Sequence, residues 1–315
     1  MAELRVTFLG TSAAVPTLKR NLSSVALIRG SELLLFDAGE GMQKNFLKAR
    51  IGMNRKMMIF VTHMHADHCV GLLGLLQTMS LQGRQRVLDI FGEAKLAEFI
   101  KENMRIINFR LSFDVNIHVV ENEGVITKGR DYEVSCCKAS HSVPSYSYCV
   151  TEFTRPGRFN IDEAKRLGIP PGRLFHELQY GNSITLNGKT INPEQVLGPR
   201  RPGRKIGISG DTRPTERLEA FFKGCDLLIY ESTFSQEEYG KALESFHSTA
   251  AEAALLAKAS AVKKLCLTHI SARYDEPSRL INEAKAIYSN VQAAEDLMVV
   301  DIPYSENDKY EKQII

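Results

Sequence analysis

The sequence predicts a layered α/β fold with a histidine- and aspartate-rich centre at the ends of its strands. Short apolar runs rich in Val, Ile, Leu and Phe recur along the 315 residues, each closed by a polar or glycine-rich stretch. Helical patterns, with apolar residues at i, i+3 and i+4, lie between several of these runs. Four of the runs end on a histidine or an aspartate. Strands alternating with helices, in numbers beyond one small sheet, require helices packed on sheet faces.

The elements follow in chain order. LRVTFLG (4–10) and SELLLFDAG (31–39) read as the first strands, and MMIFVTH (57–63) as the strand leading into THMHADH. CVGLLGLLQTMSLQ (69–82) has a helical period, and RVLDIFG (86–92) returns to strand. YEVSCCKASH (132–141), KIGISGD (205–211), DLLIYES (226–232) and KLCLTH (264–269) are strand-like. TAAEAALLAKAS (249–260) opens with Thr249 and Glu252 in capping-box spacing, and PSRLINEAKAIYSN (277–290) begins with a proline at a favoured helix start.

One region breaks the alternation. Residues 151–204 hold six of the chain's eleven prolines, with nine Lys/Arg against five Asp/Glu, while the whole chain carries only +3. The rest is therefore close to neutral. Such a stretch reads as an arm or long insertion, either a solvated loop or a cationic surface for a polyanion.

Composition excludes several classes. Hydrophobic content of 43% and charged content of 24% suit a soluble globular protein. No run reaches the ~18 apolar residues of a membrane span. The N-terminus enters a strand pattern without a basic segment followed by an apolar one, so a cytoplasmic protein is expected. The six cysteines show no C-x-x-C pair and are expected to be reduced and mostly buried.

The chemistry is concentrated in THMHADH, where His63, His65, Asp67 and His68 fall within six positions of a chain that has eight histidines. Imidazole and carboxylate together suit Zn²⁺. His141, Asp211 and His269 each follow a strand, where loops present side chains from a rigid sheet edge. These seven ligands are what two metals need if one carboxylate bridges them. We assign His63, His65, His141 and Asp211 to one ion, and Asp67, His68, Asp211 and His269 to the other. Asp67 can orient a water and act as general base. His247, just before the helix start at Thr249, can protonate a leaving 3′-oxygen, and Glu231 can hold its imidazole charged and correctly turned. His118 and His176 read as ordinary hydrogen-bonded residues.

HMHADH resembles the H-x-H-x-D-H signature of the metallo-β-lactamase superfamily. That resemblance implies an αββα four-layer sandwich and adds Asp37, in FDAGEG, as the family's early aspartate. GTSAAVPTLKRN (10–21), SHSVPSYSY (140–148), GISGDTRP (207–214), YESTF (230–234), FHSTAAEAA (246–254) and LTHISARY (267–274) together resemble the ribonuclease Z family over nearly the whole chain. The resemblance implies a single catalytic domain over residues 1–315 that cleaves the 3′ trailer from precursor tRNA and leaves a 3′-hydroxyl on the tRNA. It also implies two Zn²⁺ per subunit, a homodimer, and a flexible tRNA-binding arm with its core at about 152–180. Lys19, Arg20 and Asn21 become candidates for contacts at the cleavage site, and Arg213 and Arg273 for substrate phosphates. Two readings compete: another hydrolase of the same fold, such as an arylsulfatase or phosphodiesterase, and a non-catalytic RNA- or metal-binding protein.

Overall fold

A computed structural model describes residues 3–304. Two seven-stranded mixed sheets face one another. From edge to edge the first runs Val299–Asp301, Leu4–Gly10, Ser24–Arg29, Glu32–Phe36, Lys56–Phe60, Leu88–Gly92 and Val115–Val119. The second runs Val291–Ala293, Leu265–Thr268, Leu227–Glu231, Lys205–Ile208, Tyr146–Glu152, Tyr132–Lys138 and Gly124–Lys128.

The strands read as near-continuous apolar runs because both faces of each sheet are covered. With a side-chain period of two, Val6, Phe8, Leu34 and Phe36 enter the layer between the sheets, where they meet Tyr148, Ile206 and Ile229. Leu9, Leu33 and Leu35 point to the other face, against Met42, Phe46, Leu72 and Leu75 of the helices Met42–Lys48 and Gly71–Leu81. Leu228, Leu265 and Leu267 of the second sheet pack on Leu218, Ala253, Ala257 and Leu280 of Glu216–Phe221, Ala250–Ala259 and Ser278–Lys285. Helices, sheet, sheet, helices is the αββα sandwich.

The sheet edges set the site. Glu32–Phe36 pairs in parallel with Lys56–Phe60, and Lys205–Ile208 with Leu227–Glu231 and then Leu265–Thr268, so these strands end together. The loops after their carboxyl ends are where such sheets place function. The two sheets are laced there: Tyr146 N donates to Thr62 O at 2.9 Å, and the Tyr148 hydroxyl donates to Val61 O at 2.9 Å.

Differences from the sequence reading are local. The helix expected over 69–82 runs from Gly71 to Leu81, and a separate turn of helix ahead of it, Ala66–Cys69, carries Asp67 and His68. Pro277 sits at the cap of Ser278–Lys285 rather than inside it, and the helix stops short of 290. The capping box of Thr249 and Glu252 forms as expected. All six cysteines are buried and free. Among the described residues no helix is long and apolar enough to cross a membrane.

The 151–204 region is more ordered than a loop. Asn160 accepts from Glu163 N at 3.0 Å and caps Ile161–Arg166. A second helix, Arg173–Gln179, is followed by the hairpin Ile184–Leu186 and Lys189–Ile191. Its turn, Asn187–Gly188, has φ of 49° and 75°, the left-handed pair that a two-residue hairpin loop requires. Ala164, Ile169, Leu178, Ile184, Ile191 and Val196 form a separate small core. That core reaches beyond residue 180, to Val196. Its two strands of attachment pass so closely that a Cβ at Gly157 would lie 1.8 Å from Gly198 O.

At the arm's root, buried Glu152 accepts from Arg29 Nε at 2.9 Å and from Arg204 Nε and Nη2 at 2.8 Å each. Glu152→Ala removes the carboxylate that two buried guanidiniums share. The expected loss is about 3–5 kcal/mol of stability, read by urea denaturation.

Candidate metal centre

Five histidines and two aspartates converge where the two sheets end. His63 Nε2 lies 3.1 Å from His65 Nδ1, and His141 Nε2 lies 3.2 Å from the same nitrogen. His68 Nε2 and His269 Nε2 are 3.3 Å apart, and Asp67 Oδ2 is 3.3 Å from His269 Nε2. Asp211 Oδ2 stands between the groups, at 3.6 Å from His63, 3.3 Å from His68, 3.4 Å from His269 and 4.0 Å from His141. The ligand-capable atoms form two sets, His63–His65–His141–Asp211 and Asp67–His68–Asp211–His269, each within 4.8 Å. These are the two sets drawn from spacing, with Asp211 common to both.

The outward nitrogen of four rings is already engaged, which turns the inward one to the centre. His141 Nδ1 donates to Phe246 O at 3.0 Å; a carbonyl can only accept, so His141 Nε2 carries the lone pair. His68 Nδ1 meets Asp37 Oδ2 at 2.7 Å, His63 Nδ1 meets the Thr62 hydroxyl at 3.0 Å, and His269 Nδ1 meets the Thr233 hydroxyl at 2.9 Å. Such partners fix tautomer and ring orientation in metal sites. Asp37 also accepts from Thr62 N at 2.7 Å and from the Thr62 hydroxyl at 2.9 Å, so one carboxylate sets His68 and the backbone before His63.

Local backbone strain collects here. Asp37, His269, Phe246 and Ala14 have φ of 58°, 54°, 59° and 53°, left-handed values that cost about 1–3 kcal/mol each outside glycine. Each serves the centre: Ala14 N donates to Asp67 Oδ2 at 2.9 Å, and Phe246 supplies the carbonyl to His141.

Electrostatics favour a cation. Burial would neutralise Asp211, yet His269, His68 and His63 hold it ionised well below the usual carboxylate range. Burial pushes His63 and His141 down, towards the neutral form that ligates metals. Asp211 Oδ1 is buried with no hydrogen-bond partner among the described residues. An orphaned carboxylate oxygen amid inward-facing imidazole nitrogens fits a metal, which would supply what the protein withholds.

His247 lies beside the two sets. Its Nδ1 is 3.0 Å from Glu231 Oε1, and its ring stacks at 5.2 Å on His269. Burial opposes its charge, but Glu231 overrides that and pushes its pKa up to about 9. Glu231 is itself fixed, accepting from Thr212 N at 3.1 Å and the Thr233 hydroxyl at 2.8 Å. Glu231, His247 and His269 could also group around an ion, but the hydrogen bond between the first two already accounts for their approach.

The candidates for substrate contact divide. Lys19 is exposed and pairs with Glu276 at 2.6 Å. Arg20 is not at the surface: it is 7% exposed and donates to the Thr11 hydroxyl at 2.7 Å and Ala294 O at 2.6 Å. Both bonds engage its guanidinium inside the protein. Asn21 N donates to Asp296 at 2.8 Å. Arg273 donates to Glu238 at 2.8 Å and lies 4.9 Å from the Phe234 ring centre, still partly open. Arg213, a candidate for substrate phosphate, turns inward to Glu252 and to His247 O. His118 pairs with Asp89 at 2.8 Å and His176 stacks on Tyr180 in the arm, both away from the centre.

Sequence reasoning passed over Thr62, Thr233, Phe246 and Asp296. Threonines carry no signal of their own, and a backbone carbonyl carries none at all. Asp296 gathers Thr11, Asn21 and Asn45 from one loop and one helix, and only the fold brings these together.

Comparisons with known proteins agree with this geometry. Residues 150–270 match the family described as beta-lactamase superfamily domain, and residues 4–157 match that described as anti-Pycsar protein Apyc1. The ribonuclease Z of Nitrosopumilus maritimus is 51% identical, over 95% of this chain and 100% of its own. That of Methanosarcina acetivorans is 46% identical, over 96% and 99%. The crystal structure of human tRNase Z, short form, superposes with a TM-score of 0.70 at 30% identity, over 95% and 99% of the two chains. The chain therefore belongs to the ribonuclease Z family, metal-dependent tRNA 3′-processing endonucleases built on the metallo-β-lactamase fold.

Proposed function

We propose that this chain cuts the 3′ trailer from precursor tRNA at a centre of two Zn²⁺ ions, with Asp211 bridging the two ligand sets. The carrying observation is the sharing of Asp211 Oδ2 by two groups of inward-facing nitrogens. His63, His65 and His141 would hold one ion with it, and Asp67, His68 and His269 the other. Ions held there supply Lewis acidity and lower the pKa of a water towards ~7.

The protein's own groups complete the reaction. Asp67 orients the attacking water and takes its proton. Water oxygen bonds to phosphorus as the bond from phosphorus to the 3′-oxygen breaks. His247, held by Glu231, gives its proton to that oxygen, so the tRNA keeps a 3′-hydroxyl and the trailer carries the phosphate. Lys19, Asn21 and Arg273 remain the candidates near the nucleotides. The arm, with its excess of basic residues, supports capture of the tRNA backbone away from the cut. We further read the working unit as a cytoplasmic homodimer; sedimentation as a monomer at working concentration would contradict this.

Mapping both product ends from one precursor transcript tests the function. A new 3′-hydroxyl at the tRNA end with a 5′-phosphate on the trailer supports it; sulfate-ester turnover with intact tRNA would favour the arylsulfatase alternative. A pH profile tests the acid. Glu231 raises His247, so His247 keeps its proton to about pH 9 and the rate falls above that value. Glu231→Gln removes the raising charge and is expected to move this alkaline limb down by about 1–3 pH units. An unmoved limb contradicts the role of His247.

A further inference from the structure

The turn from Phe246 to Thr249 serves two partners at once. Phe246 O accepts from His141 Nδ1 at 3.0 Å, and the next residue, His247, faces Glu231 at 3.0 Å. The turn takes Phe246 through φ 59°, a conformation that needs holding. Arg213 supplies the hold. Its Nη1 donates to His247 O at 2.5 Å and to Glu252 Oε2 at 2.8 Å, and its Nη2 donates to Glu252 Oε1. Glu252 also accepts from Thr249 N at 2.9 Å, closing the turn onto the following helix. Arg213 N donates to Ser140 O at 2.8 Å, and the Ser248 hydroxyl donates to Thr212 O at 2.6 Å. The segment carrying Asp211 is thus tied both to the loop of His141 and to the turn of His247. Both side chains of the Arg213–Glu252 pair are 13% exposed, so the carboxylate neutralises the guanidinium inside the protein rather than leaving it to a phosphate.

We propose that Arg213 and Glu252 are positioning residues for proton delivery: they fix the 246–249 turn so that His247 meets the leaving oxygen. This rests on the reading of His247 as the acid. Arginine suits this place because its planar fork meets the Glu252 carboxylate with two N–H groups while a third reaches the His247 carbonyl; a lysine ammonium is a point charge without that fixed fork.

The test uses the full-length, metal-loaded enzyme and two substrates. Precursor tRNA has an alkoxide leaving group that needs a proton. Bis(p-nitrophenyl) phosphate releases a phenolate that does not. Arg213→Ala is expected to lower kcat on precursor tRNA by about 10²-fold, with KM changed less than about threefold and the activated diester losing less than about tenfold. Arg213→Lys and Glu252→Gln are expected to fall between it and the parent; they carry the test if Arg213→Ala fails to fold. The Arg213→Ala/His247→Ala pair is expected to lose no more than His247→Ala alone.

A raised KM with kcat retained would make Arg213 a phosphate contact and overturn the proposal. So would equal losses on both substrates, or additive losses in the double variant. The His247→Ala control separates the two levels. If it alone loses both activities equally, the acid assignment falls and the proposal with it. If it spares the activated diester while the Arg213 variants do not, only the proposal falls.

Discussion

Asp211→Ala is expected to reduce cleavage of precursor tRNA by on the order of 10⁴-fold, about 5.5 kcal/mol of barrier, and to strip the centre of most of its metal. No other single side chain should cost as much by this route. Asp211 Oδ2 lies within 4.0 Å of His63, His68, His141 and His269, so its loss opens both ligand sets at once, whereas His65→Ala opens one. The fold should survive, because Asp211 follows the strand Lys205–Ile208 and contributes no apolar contact to the core. Metal analysis, far-UV circular dichroism and a cleavage assay on the same preparation check all three statements. Retained metal with lost activity would place Asp211 outside the coordination.

The second large effect concerns the arm. Replacing residues 156–200 with a short flexible linker is expected to lower kcat/KM on precursor tRNA by about 10²–10³-fold, mainly through KM, and to flatten its salt dependence. Turnover of bis(p-nitrophenyl) phosphate should change far less. These boundaries follow the structure: Arg155 and Arg201 pair across the attachment, and the arm's own core runs on to Val196. Cutting only 152–180 would remove buried Glu152 and leave Ile184, Ile191 and Val196 without their partners, which confuses capture with stability. Equal loss of both activities in the 156–200 variant would remove the arm from substrate capture.

The sandwich and the seven converging side chains were legible because each rests on a local rule. HMHADH places four ligand-capable groups within six residues, and His141, Asp211 and His269 announce themselves by closing apolar strands. The capping box at Thr249 and Glu252 is likewise a short-range pattern. What stayed hidden depends on partners distant in sequence. Arg20 and Arg213 stand in loops beside the chemistry, where a cation is as ready to meet a phosphate as to fold inward. Only the arrival of Ala294 O and of Glu252 decides. The strand Tyr146–Glu152 was missed because Ser147 and Thr151 break its apolar run. Yet Ser147 is buried and donates to Ser209 O at 2.5 Å, so its polarity is satisfied within the sheet. Arm order escaped notice for a similar reason: its apolar residues are few and spread between prolines and glycines, and only closure of the Asn187–Gly188 hairpin gathers them.

Titrating Zn²⁺ into metal-free protein while following cleavage of one precursor tRNA bears most directly on the shared carboxylate and its two ligand sets. Activity should be absent at the start, rise with added ion and saturate at two per chain. Full activity without metal, or saturation at one ion per chain, would contradict a centre bridged by Asp211.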